Sequence, residues 1–78
     1  MTGADVEFFL ETDRVIDLVH VVVESKSEYD RDRAAAKLIE LWHAGREGGV
    51  TLHHLAYVGD YAGEPFSTEA DDIIRNNL

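Results

Sequence analysis

The fold turns on one stretch, DRVIDLVHVVVES, residues 13–25. Valine and isoleucine are enriched in strands, so composition alone favours β-structure here. Periodicity is the stronger signal, and it disagrees. In a strand the polar residues would share parity, yet Asp13 and Asp17 are odd while His20 and Glu24 are even. On a helix the same four fall within an arc of roughly 60°. Val15, Ile16, Leu18, Val19, Val21, Val22 and Val23 then fill an apolar arc of roughly 220°. One narrow polar stripe on an otherwise greasy rod predicts a nearly buried helix over about 13–25. The competing reading is a strand pair at 5–11 and 15–24.

The stripe does not continue upstream. Glu11 would fall on the apolar face, so the phase breaks near Thr12–Asp13, and Asp13 is placed to cap the new helix. Residues 3–11 are expected to form a separate short helix with Val6, Phe9 and Leu10 on its apolar side. Thr2 and Asp5 have the spacing of a capping box.

Downstream, SKSEYDRDRAAAKLIELWHAGREGG contains the clearest helix. Ser27 with Asp30 resembles a capping box, and Glu28, Asp30 and Asp32 suit a positive helix start. Ala35, Leu38, Leu41, Trp42 and Gly45 make its buried stripe, and Gly48–Gly49 should end it. Thr51 can cap a short helix carrying Leu52, Leu55, Ala56 and Gly59 on one side, with a strand over 50–58 as the alternative. A loop over 59–65 should follow. Thr68 with Asp71 repeats the capping signature before a last helix edged by Ile73, Ile74 and Leu78, and Phe66 could pack back as a staple.

The expected fold is therefore all-α: one domain over 1–78, a compact bundle of four to five short helices around the segment at 13–25. A chain of 78 residues with no cysteine cannot staple itself with disulfides. The apolar helix needs neighbours on three sides. Either it sits at the centre of the bundle, or part of its arc meets a second copy, and Val15, Leu18, Val19 and Val22 are the residues expected at such a homodimer contact.

Charge narrows the function. Sixteen acids against seven lysines and arginines give a net charge of −9. Phosphate binding requires clustered cations, so direct nucleic-acid binding and attachment to an anionic membrane are not expected. The chain does not open on a basic flank followed by an apolar run, and no stretch could span a bilayer. A cytoplasmic protein is the expectation.

Chemistry finds little foothold. Glu40-x-x-His43 resembles half of a di-iron motif, but a second such motif and two more glutamates would be needed. Adjacent His53 and His54 point about 100° apart on a helix and cannot chelate together. No nucleophile elbow and no phosphate loop is present. No catalytic residue, metal or cofactor is expected, and the chain reads as a non-enzyme. The best-supported function is an acidic module that binds another protein, as a regulator, adaptor or inhibitor. Tyr57, Tyr61, Phe66, Glu69, Asp71 and Asp72 are its expected contact residues. The alternatives are an acidic mimic of nucleic acid that occupies a basic surface, and a small metal-binding helical protein.

Overall fold

A computed structural model describes residues 3–78. Five α-helices account for most of them: α1 (Gly3–Glu11), α2 (Val15–Glu24), α3 (Glu28–His43), α4 (Leu52–Tyr61) and α5 (Phe66–Asn76). A 3-10 turn, Gly45–Gly48, lies between α3 and α4. Among the described residues there is no strand, so periodicity overrides β-propensity at 15–24 and again at 50–58. The radius of gyration is 11.3 Å, close to the about 11.5 Å of a compact chain this long.

Several termini differ from the sequence reading, each for a local reason. Asp13 does not cap α2. Its backbone is left-handed, at φ 52°, and makes the elbow between α1 and α2. Its carboxylate instead reaches Lys37 of α3 at 3.2 Å. That hydrogen bond, with the attraction of Asp13 behind it, holds the Lys37 ammonium above its ordinary pKa. Arg14 precedes α2 without a side-chain cap, and its Nε donates to Asp17 at 2.6 Å. Thr2 lies outside the described residues, so the cap expected there does as well.

Helix α3 stops earlier than Gly48–Gly49. Gly45 takes φ 81°, which ends the helical run at His43 and removes Gly45 from the buried stripe. The core residues of α3 are Ala34, Ala35, Leu38, Ile39 and Leu41. Its start is as expected, with Ser27 Oγ accepting from the Asp30 amide at 3.2 Å. Helix α5 begins two residues before Thr68. Phe66 is thus its first residue, packed against the core, and Thr68 lies inside the helix. The Thr68 hydroxyl donates to one oxygen of Glu64, and Ser67 Oγ donates to the other at 2.9 Å. These two donors hold the Glu64 carboxyl below its ordinary pKa.

The core gathers Val6 from α1, Leu18, Val21 and Val22 from α2, and Leu55, Val58 and Ala70 from α4 and α5. These pack around the α3 residues, whose two alanines let neighbouring backbones come close. Helix α3 touches each of the other four, whereas α2 lies against α1, α3 and α4 but not α5. The Cα atoms span only 15 Å in the thinnest direction. Two helix layers fill about that thickness, at interaxial distances of 8–10 Å and a Cα radius of about 2.3 Å. No helix in such a slab is enclosed on every side.

Candidate functional site

Helix α2 shows where enclosure fails. Leu18, Val21 and Val22 are wholly buried within the chain. Val15, Val19 and Val23 are half-buried. Ile16 is 68% exposed, a large apolar side chain standing in water. Of the four residues expected at a contact between copies, Leu18 and Val22 are therefore taken up by the chain's own core. The outward apolar row is instead Ile16, Val19 and Val23.

That row floors an open hollow of about 300 Å³ between α2 and α4, completed by His20, Glu24, His54 and Tyr57. Two further hollows lie at the two ends of α2. One shares Ile16 and adds Asp13, Arg14, Asp17 and Glu47. The other shares Glu24 and adds Lys26 and Asp30. The α2/α4 hollow, a short apolar trough, thus has a mostly acidic hollow near either end of α2. His20 Nδ1 stands 3.5 Å from Glu24 Oε2 along the rim. Two side-chain bonds fix the α2–α3 turn beside the trough: Arg31 Nη1 donates to the Ser25 carbonyl at 2.8 Å, and Ser25 Oγ accepts from the Ser27 amide at 3.1 Å.

The α4 wall is set by a capping box of unusual composition. The His54 amide donates to Thr51 Oγ1 at 3.4 Å, while His54 Nδ1 accepts from the Thr51 amide at 3.0 Å. Histidine thus does the work usually given to glutamate or glutamine. A backbone N–H can only donate, so Nδ1 must carry a lone pair and the proton of the neutral ring sits on Nε2. Burial, and secondarily the neighbouring His53, push the His54 pKa below its ordinary 6.5. His53 in turn packs edge-on against Tyr57, with ring centroids 5.4 Å apart.

The cap predicts a pH response. Because the folded pKa lies below the unfolded one, neutral His54 contributes stability that is complete above about pH 6.5 and is lost as pH falls through the folded value. His54→Gln keeps an acceptor at the same position but does not titrate. The gap in melting temperature between wild type and His54→Gln should therefore move against the wild type between pH 7.5 and 5.0. Thr51→Ala should cost about 1 kcal/mol at pH 7.5, measured by urea unfolding. A constant gap across that pH range would show that His54 does not cap.

The contact residues expected from sequence do not form one patch. Tyr57 lines the trough. Tyr61 is 52% exposed at the end of α4, outside the trough lining. Phe66 packs on the core. Glu69, Asp71 and Asp72 are exposed on α5, which does not touch α2. Sequence reasoning left out Ile16, Val23, His20 and His54 as site residues. Among the described residues, no three histidine or carboxylate side chains converge as metal ligands should. His20, Glu24 and His54 line the same hollow but do not converge as a ligand set.

No family model matches this chain, and neither a curated protein nor a solved structure does. Among the described residues no helix is long and apolar enough to cross a membrane.

Proposed function

We propose that this chain is a non-enzymatic protein-interaction module of the cytoplasm, binding another protein through the α2/α4 face. The observation that carries this reading is the exposed Ile16 in line with Val19, Val23 and Tyr57. An apolar row framed by charged and polar groups is the usual make-up of an interaction site. Tyr57, half-buried with its ring packed on His53, is a rigid aromatic of the kind that anchors interfaces.

The test is a paired capture from cells of the source organism, with wild type and Ile16→Gln as baits. The substitution keeps the charge and removes only the apolar anchor. A protein retained by the wild type and reduced at least about tenfold on Ile16→Gln, a loss of about 1.4 kcal/mol, supports the reading. Equal recovery on both baits refutes it.

The acidic-mimic reading rests on a different surface, the exposed carboxylates Glu69, Asp71 and Asp72 of α5. The second acidic run, Asp5, Glu7 and Glu11, lies on α1, and α1 and α5 do not touch. Glu7 is also engaged by Arg33. A mimic would lose its partner when residues 69, 71 and 72 are reversed in charge, and would weaken steeply with salt. The trough reading predicts that this triple variant still binds.

A further inference from the structure

Resting on the interaction reading above, we propose that the trough along α2 takes a cationic amphipathic helix belonging to another protein. Three observations select this occupant.

The first is shape. The slab is two helix layers thick, and α2 and α4 leave an open valley between them. Ridges and grooves between neighbouring helices are the natural seat for a third helix. Ile16, Val19 and Val23 have the i, i+3, i+7 spacing that meets a matching row on such a helix. From Ile16 to Val23 the floor runs about 10.5 Å at a rise of 1.5 Å per residue, two turns of an incoming helix.

The second is charge at the ends. One end presents Asp13, Asp17 and Glu47 with Arg14, and the other Glu24 and Asp30 with Lys26. Arg14 is already bonded to Asp17, Asp13 to Lys37 and Asp30 to Arg33. Among the described residues, the carboxylates of Glu47 and Glu24 have no lysine or arginine at salt-bridge distance, and Glu24 faces His20. A helix with an apolar centre and lysine or arginine at both ends would place its cations on them.

The third is the charge of the whole chain. At −9 it draws a cationic segment and repels a second copy of itself. His54 adds no opposing charge to the middle of the trough, because its cap requires the neutral ring.

The test uses synthetic peptides of about 14 residues, long enough to cover roughly 21 Å as a helix. The first carries leucines at i, i+3 and i+7, with lysine and arginine at both ends. A second replaces its cations by glutamate. A third keeps the composition of the first in scrambled order. Each is titrated into the ¹⁵N-labelled full chain, and the free chain is sized by sedimentation.

The patterned cationic peptide should bind at least tenfold more tightly than either control. It should shift the amides of Ile16, Val19, Val23 and Tyr57, and lose at least tenfold on Ile16→Gln. It should weaken severalfold between 50 and 300 mM salt. Equal binding by the scrambled peptide overturns the proposal, since charge alone then suffices. Equal binding by the glutamate peptide overturns the cationic partner while leaving the trough as an interaction face. A free chain that sediments as a dimer and becomes monomeric on Ile16→Gln also overturns it, naming a second copy as occupant; the interaction reading would survive. Failure of every peptide to shift those amides overturns the trough as a docking site. The paired capture then decides separately whether the interaction reading stands.

Discussion

Gly48→Ala is expected to lower stability by about 3 kcal/mol or more, the upper range of overpacking costs, and to leave little folded protein at 37 °C. Gly48 is buried in the 3-10 turn after α3. A Cβ there would stand 1.9 Å from the Leu41 carbonyl oxygen and 2.7 Å from its carbon. Both atoms are backbone in the last turns of α3, so neither can move aside as a side-chain tip would. The turn would have to open, pulling Leu41 and Val50 out of the core they share. For a chain of this size the melting temperature should fall by roughly 12–24 °C, at 4–8 °C per kcal/mol. Gly59→Ala is the internal control. Its Cβ would meet the Asp71 carboxylate at 2.3 Å, but that is an exposed side chain that can swing away. If the two alanine variants melt together, the close approach of Gly48 to α3 is wrong.

Leu18→Ala and Ile16→Gln should separate the two sides of α2. Leu18 is wholly buried, and truncating such a leucine costs about 2–5 kcal/mol through lost burial and the cavity left behind. Ile16 lies two residues away on the same helix and is mostly exposed, so its replacement should change stability by less than about 0.5 kcal/mol. Denaturant unfolding of the two variants gives the comparison directly. A large loss for Ile16→Gln in the dilute monomer would mean that Ile16 is buried in solution and that the trough is closed.

The all-α architecture was legible because one stretch, 13–25, has incompatible parity as a strand and a clean stripe as a helix. The same wheel already held the site, though it could not say so. Measured from Asp13, Ile16, Val23 and Val19 lie at roughly 60°, 80° and 120° on one flank of the polar stripe, and Val21 and Leu18 at roughly 80° and 140° on the other. Sequence shows two equally apolar flanks. Only packing decides that the core takes the Leu18 side and leaves the Ile16 side open. The capping box at Thr51 was half visible, since Thr51 announces a helix start but histidine is not the residue expected to answer it. The ends of α3 and α5 were misplaced because one left-handed glycine and one glutamate outside the helix outrank the stronger-looking signals at Gly48–Gly49 and Thr68.

The hub position of α3 bears on how damage spreads. Its flanks are shared among four neighbours. Trimming the first helix or the last would bare part of the same element, so two mild lesions at opposite termini share a victim. Their costs should be coupled through α3 instead of simply adding, which ties the first and last helices together although they do not touch.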